Sequence, residues 1–274
     1  MPDKLMTMNR AQAPARGSAT RPVMLAIAGD SAAGKTTMTA GLVQALGAER
    51  VTGVCVDDYH RYDRQERKSL PFTPLHPDCN YIEIMEQHLR HLATGEPILK
   101  PVYDHATGTF GRPQLIEPTE FVIIEGLLPL YSKSARACFD VTVFLDPVED
   151  IRREWKIRRD CRKRGYTPEQ VRAELDRRES ESAAFIRPQR THADIVVRFA
   201  RSDSAAEDDP LSATVLLSPT IPHPDLSAVL TDDTRQALHL KLTRDQDGKP
   251  VDALHIHGHA PRELSREVER HIWN

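Results

Sequence analysis

The sequence predicts an α/β protein built on a doubly wound, mostly parallel sheet, with a small C-terminal α+β appendage. Three observations carry this. Short, wholly apolar runs alternate with helix-period segments over residues 23–200, the pattern of strands buried on both faces and covered by helices. Three of the strand ends are followed at once by Gly29, Asp57 and Glu125, and open parallel sheets bind ligands at that carboxyl edge. The first of these ends opens the octapeptide GDSAAGKT, a phosphate-binding pattern lying between a strand and a helix.

The elements follow in order. VMLAIA (23–28) is a buried strand stopped by Gly29 and Asp30. Thr36–Leu46 places Met38, Leu42, Val43 and Leu46 at helical spacing and stops at Gly47. Val51–Val56 is a second strand leading into Asp57-Asp58, and Ile82–Ala93 is an amphipathic helix ending near Gly95. Phe121–Ile124 and Val141–Leu145 are further buried strands, Ile151–Arg164 and Pro168–Arg178 are helices, and Ile195–Phe199 closes the series. Arg201–Pro210 (RSDSAAEDDP) is acidic, small and loop-like, a linker. Beyond it, Thr214–Leu217, Leu238–Thr243 and Ala253–His257 read as strands, with Asp247-Gly248 as a turn between two of them, and Arg262–Ile272 as a helix. The expected division is a flexible leader over 1–22, a P-loop domain over 23–200, a linker over 201–210 and the appendage over 211–274.

Composition narrows the function. At 274 residues, 39% apolar and 28% charged, the chain matches an ordinary globular protein. It has no run of the ~18 apolar residues a membrane span needs, and residues 1–22 lack the apolar stretch of a secretory signal. Four cysteines (Cys55, Cys79, Cys138, Cys161) form neither a disulfide framework nor a CxxC pair, which points to the cytoplasm. A net charge of −3 argues against nucleic acid as the partner. The local balance differs: residues 151–178 hold eleven Lys or Arg against five acids. Such a block is ordinarily a solvated helix face, unless anion-binding features lie nearby.

One does. Gly29, Asp30, Ser31, Ala32, Ala33, Gly34, Lys35, Thr36 and Thr37 form the P-loop and the start of its helix. Glycines let backbone N–H groups close on a polyphosphate, and the helix N-terminus adds partial positive charge. Lys35 is expected to reach the β- and γ-phosphates of ATP, with the Thr36 hydroxyl on Mg2+. Asp57 sits where a carboxylate can take a proton from an acceptor hydroxyl, although Asp-Asp also ends strands as a plain solvated turn. Glu125 is placed to hold Mg2+ directly or through water. On a helix from Ile151, the residues Lys156, Arg159, Asp160, Lys163 and Arg164 share roughly one face, with Ile151 and Trp155 as apolar anchor. A cationic helix over phosphates suits phosphoryl transfer, which depends on positioning and charge neutralisation.

The segments GDSAAGKTT, VCVDDYHRYDR, KPVYDHATG, EGLLPLY and WKIRRDCRKRGYTPEQV resemble the phosphoribulokinase family, within the P-loop uridine kinase-like superfamily. The resemblance covers residues 23–200, and the appendage resembles the extra C-terminal region of the plant and cyanobacterial type. It implies ATP-dependent phosphorylation of ribulose 5-phosphate on its 1-hydroxyl, giving ribulose 1,5-bisphosphate for carbon fixation, and a homo-oligomer, a dimer. By motif, Asp57 resembles the catalytic base, His60 and Arg64 the sugar-phosphate contacts, and Glu125 the Mg2+-associated acid. Lys156, Arg159, Asp160 and Arg164 match the lid, and Arg178 a downstream substrate arginine, with Arg177 as its neighbour in the alignment. Tyr103 and His105 line the expected acceptor pocket. One departure matters: where light-regulated members carry a P-loop cysteine this chain has Ala33, so Cys55 lacks a disulfide partner. A uridine or cytidine kinase-like nucleoside kinase shares the P-loop, acidic loop and basic lid. A non-catalytic nucleotide-binding regulator predicts loss of Asp57 or Lys35, and both are present.

Overall fold

The structure is a computed structural model that describes residues 21–201 and 210–273; the leader to residue 20 and most of the 201–210 linker lie outside the described residues. β1 (Val23–Gly29) is the central strand because its run of apolar side chains has no polar face to offer solvent, and Met24–Ala28 are buried. It pairs in parallel with β7 (Phe121–Gly126) on one side and β8 (Val141–Leu145) on the other. β2 (Val51–Cys55) pairs in parallel with β7, and β9 (Ile195–Ala200) with β8.

The three strands after the linker continue this sheet. β10 (Ser212–Leu217) runs antiparallel against β9, β12 (Pro250–Ile256) against β10, and β11 (Leu238–Arg244) against β12. The result is one eight-stranded sheet in the order β11-β12-β10-β9-β8-β1-β7-β2. The cores merge as well. Leu25, Ile27 and Val143 pack in one cluster with Val215, Leu226, Leu238, Leu254 and Val268.

The helices fall close to their expected bounds: α1 Lys35–Leu46, α2 Ile82–Ala93, α4 Glu149–Arg164 and α5 Pro168–Glu181. α3 (Lys133–Arg136) is one turn capped by Ser132, and α6 (Arg262–Trp273) ends the described chain. α4 stops at Gly165 in the left-handed region, and α5 starts with a capping box of Thr167 and Gln170 and Pro168 in its first turn. Two short ribbons were not anticipated: β3 (Ile98–Lys100) with β6 (Gln114–Ile116), and β4 (Tyr103–Asp104) with β5 (Thr109–Phe110). The inner ribbon carries Tyr103 to the carboxyl edge of the sheet.

Candidate active site

The phosphate loop is fixed by close packing. A Cβ at Gly29 would lie 2.8 Å from the Leu145 carbonyl, so only glycine lets β1 turn against β8 here. Ala32 and Gly34 both take left-handed backbone conformations. Gly34 caps α1 with no side chain to accept from the first turn, and that turn holds no acid. Its N–H groups are therefore available to an anion. Lys35 Nζ donates to the carbonyls of Gly29 (2.9 Å) and Asp30 (3.0 Å), bridging the loop. Thr36 and Thr37 are exposed beside it.

Glu125 ends β7 next to this loop. Its carboxylate lies 3.4 Å from the Thr36 hydroxyl and accepts from Thr39 at 3.2 Å. Burial raises its pKa, opposed by Lys35. One carboxylate and one hydroxyl fit Mg2+, which keeps waters and phosphate oxygens as its other ligands. Among the described residues no cluster of three or more His, Cys, Asp or Glu could hold a metal alone.

Asp57 and Asp58 follow β2, and the structure separates them. Asp58 is spent on structure, binding Lys100 Nζ and accepting from the Tyr103 N–H at 3.0 Å. Asp57 accepts on one oxygen only, from the Leu127 N–H at 2.9 Å, so its Oδ2 carries no hydrogen bond among the described residues. Gly126 permits this approach: a Cβ there would lie 2.9 Å from Asp57 Oδ1.

Near Asp57, whose charge acts on both His60 and His105, is an aromatic and cationic wall. His60 is buried, and its Nδ1 lies 2.8 Å from Asn80 Oδ1. Asn80 spends its NH2 group on the Pro74 and His76 carbonyls, so Oδ1 accepts and His60 carries its proton on Nδ1. Burial lowers the His60 pKa to about 4, against the pull of Asp57. His60 is thus neutral near pH 7, and Nε2 is an acceptor for a hydroxyl rather than a cation for a phosphate. Tyr103 packs edge-on against His60 (4.8 Å), His105 (5.0 Å) and Phe110 (5.6 Å). Arg64 turns to the carbonyls of His105 (2.5 Å) and Ala106 (3.2 Å), pinning that ribbon. Arg67, not singled out from sequence, lies over the Tyr103 ring at 4.9 Å and donates to its hydroxyl.

α4 packs across the phosphate loop. Ile151 is buried, Trp155 packs tilted against Phe199 with ring centroids 5.9 Å apart, and Gly34 lies against the indole. The expected cationic face is divided. Lys156 and Asp160 are fully buried and bonded to each other at 2.8 Å, with Glu174 of α5 at 3.8 Å from Lys156. Burial lowers the Lys156 pKa. Burial pushes Asp160 up, but hydrogen bonds from Arg159 and Lys156 outweigh it and hold its pKa at about 2. Arg159 (2.8 Å) and Arg164 (3.6 Å) both pair with the same Asp160 while remaining partly exposed, and Arg159 also reaches the Ser31 hydroxyl at 3.4 Å. Arg178 pairs with Glu174 at 2.6 Å, and its Nε is buried with no hydrogen-bond partner among the described residues. Its neighbour Arg177 is exposed, so Arg178 is the arginine turned inward.

The sequence-selected residues therefore gather at one edge, with two corrections of detail. Lys156 and Asp160 are a buried ion pair rather than groups open to a ligand, because α5 covers them. Arg64 is engaged with backbone, whereas Arg67 occupies the pocket wall. A cavity of about 430 Å3 lies elsewhere, at the opposite end of the sheet, between residues 190–194, 218–220 and 245–251. None of the selected residues lines it. Its Asp194 is engaged by Thr142 and Thr220, and its Lys249 by the Thr191 carbonyl.

A phosphate loop between β1 and α1, a Thr–Glu pair and a carboxylate with one unengaged oxygen stand at adjacent strand ends, in the α/β fold of the P-loop kinases. The family model described as Phosphoribulokinase / Uridine kinase family matches residues 24–205. The chain belongs to that family. A phosphoribulokinase of Synechocystis sp. is 40% identical over 178 residues, 65% of this chain and 54% of that protein. A uridine kinase of Chloroflexus aurantiacus is 30% identical over 183 residues, 65% of this chain and 87% of that one. The solved phosphoribulokinase from Rhodobacter spheroides shares the fold at a TM-score of 0.68, with 17% identity, over 90% of this chain and 94% of that one. The chain spans about half the length of the phosphoribulokinases it matches first, 54% and 51%. Among the described residues no helix is long and apolar enough to cross a membrane.

Proposed function

We propose that the chain is an ATP- and Mg2+-dependent kinase that phosphorylates the 1-hydroxyl of ribulose 5-phosphate, giving ribulose 1,5-bisphosphate for carbon fixation. The observation that carries this is the unengaged Oδ2 of Asp57, on a carboxylate whose charge acts on both His60 and His105 of the acceptor side. Asp57 takes the proton of the acceptor hydroxyl as it attacks; Asp58, bound by Lys100 and the Tyr103 N–H, has no free oxygen for that role. Lys35 leaves the carbonyls it now bridges to meet the β- and γ-phosphates. Arg159 and Arg164 stabilise charge on the transferred group, and Asp160 is the positioning residue that aims both. His60 Nε2 accepts from a sugar hydroxyl, while Arg178 and Arg67 hold the distal phosphate. Thr36 and Glu125 hold Mg2+, which when bound offsets the negative charge of the phosphates. The reading includes a cytoplasmic, homo-oligomeric enzyme.

The experiment is ATP consumption measured with ribulose 5-phosphate, ribose 5-phosphate, uridine and cytidine. Turnover with ribulose 5-phosphate well above the other three supports the reading. Preference for uridine or cytidine overturns the acceptor and leaves the kinase. No turnover with any of them overturns both.

A further inference from the structure

The end of α5 joins the two substrate loops through adjacent residues. α5 (Pro168–Glu181) passes without a break into a π-helical turn, Ser182–Ile186, and such turns recur at functional sites. Ser182 is 2% exposed, and its hydroxyl donates to Asp30 Oδ2 in the phosphate loop. The other oxygen of Asp30 accepts from the Ser31 N–H at 2.6 Å and lies 3.6 Å from Arg152 of α4. Arg152 in turn donates to the Ser31 carbonyl at 3.1 Å. Asp30 is thus the point where phosphate loop, α4 and α5 are tied.

Glu181, one residue earlier, reaches the opposite way. Its carboxylate accepts from the Thr73 N–H (2.9 and 3.1 Å) and from the Thr73 hydroxyl. Thr73 Oγ1 accepts from the Leu75 N–H at 3.3 Å, and Leu75 is buried against Leu127, Leu128 and Ile186. The segment continues to His76, whose carbonyl accepts from Asn80 at 3.0 Å, and Asn80 fixes His60. Buried and part-buried hydrogen bonds, joined by short stretches of chain, therefore run from Asp30 to His60 through one peptide unit, Glu181–Ser182.

We infer that Ser182 and Glu181 are positioning residues that couple the nucleotide half-site to the acceptor half-site. Seating a polyphosphate on the loop shifts Asp30 and Ser182, and Glu181 passes that shift to Thr73 and the His60 segment. The inference rests on the proposed kinase reading but not on which acceptor is used. Coupling between sites is carried by hydrogen-bond and ion-pair networks and by rigid elements that have two discrete arrangements.

The test uses the full chain and a non-hydrolysable ATP analogue, with amide hydrogen exchange over residues 72–80 as readout. In the parent, analogue alone is expected to slow exchange there, and ribulose 5-phosphate and analogue to raise one another's affinity by a factor within the usual ~5–150. Ser182→Ala and Thr73→Val are each expected to keep analogue binding, lose the protection over 76–80, and bring the coupling factor to about 1. Ser182→Thr, which retains the hydroxyl, restores both. A merely structural role lowers thermal stability without moving either readout. Protection over 76–80 that persists in both variants overturns the inference, as does its absence in the parent. Failure of ribulose 5-phosphate to bind overturns the acceptor reading alone, because the nucleotide-only arm still decides this one.

Discussion

The two wings of the sheet use the same secondary structure for different ends. On one wing β2, β7, β1, β8 and β9 are parallel, so their carboxyl ends share one edge, and Gly29, Asp57 and Glu125 stand together there. On the other, β10, β12 and β11 alternate in direction, so successive strand ends fall on opposite edges and cannot converge. That wing supplies core instead: Val215, Leu238, Leu254 and Val268 are buried, and the cluster they form extends to Leu25 and Ile27 of the central strands. Parallel order gathers chemistry at an edge, and antiparallel order adds buried area.

The largest effect that sharpens this contrast is at Asp57. Asp57→Asn is expected to lower turnover by about 10²–10⁴, the loss of a general base, while nucleotide affinity measured by calorimetry and the melting temperature stay near the parent's. Turnover within a few-fold of the parent would break the assignment. On the other wing, Leu254, fully buried on β12, gives the opposite signature. Leu254→Ala is expected to cost about 2–5 kcal/mol in stability, read by denaturant unfolding, with turnover of the folded fraction unchanged. A kinetic defect there would show that the wings are not separable.

The difference between wings also explains what was legible in the sequence. Buried parallel strands announce themselves as continuous apolar runs, so β1, β7, β8 and β9 stand out in one reading, as do Asp30, Glu125 and Asp146 at the ends of the first three. The joining of the appendage to the same sheet does not, because no local pattern states which edge a later strand will pair with. The ribbons over residues 98–116 are two or three residues per strand, too short for a period of two to register. At the site, Lys156 and Asp160 look like any exposed charge in a row of charges. Their burial comes from α5 packing over α4, a contact between elements. Arg67 and Ser182 gave no spacing signal. Only the positions of Tyr103 and Asp30, reached through distant parts of the chain, give them a role.

Next in size is the cationic face of α4. Arg159→Ala and Arg164→Ala are each expected to cost about 2.7–4 kcal/mol in transition-state stabilisation, ~10²–10³ in rate, because each stays partly exposed while Asp160 holds its other side, and Arg159 reaches the loop at Ser31. Steady-state kinetics within a few-fold of the parent in both variants would mean that the exposed part of this face only meets solvent. Smaller again is the thiol response. Among the described cysteines all four are free, and burial with the nearby Asp57 raises the Cys55 pKa well above its ordinary value. With Ala33 in place of a partner, activity is expected to be the same after dithiol reduction or mild oxidation. Reversible dithiol-dependent recovery would contradict this.

The response to pH also separates the wings. His60 on the site wing is held neutral by burial, its pKa about 4 against an ordinary 6.5. His255 on the other wing is also lowered, by burial first and then by the like charges of His239 and His257, with which it forms a row across β11 and β12. For a histidine lowered in the folded state, the unfolded chain binds the proton more readily, so stability rises with pH where the unfolded form titrates. The contribution from His60 is therefore full above about pH 6.5 and is lost as pH falls from 6.5 toward 4, at no more than about 1.4 kcal/mol per pH unit. Replacing His60 by Gln is expected to flatten unfolding free energy between pH 6.5 and 4 and to raise the Michaelis constant for the acceptor. His255→Gln is expected to flatten the same range more weakly, since that ring is partly exposed, and to leave the Michaelis constant alone. Added salt should screen the His239 and His257 repulsion and shrink the His255 part, whereas the part set by burial of His60 should hardly change. If salt shrank both equally, mutual repulsion rather than burial would govern His60, and its neutral, hydroxyl-accepting state would have to be given up.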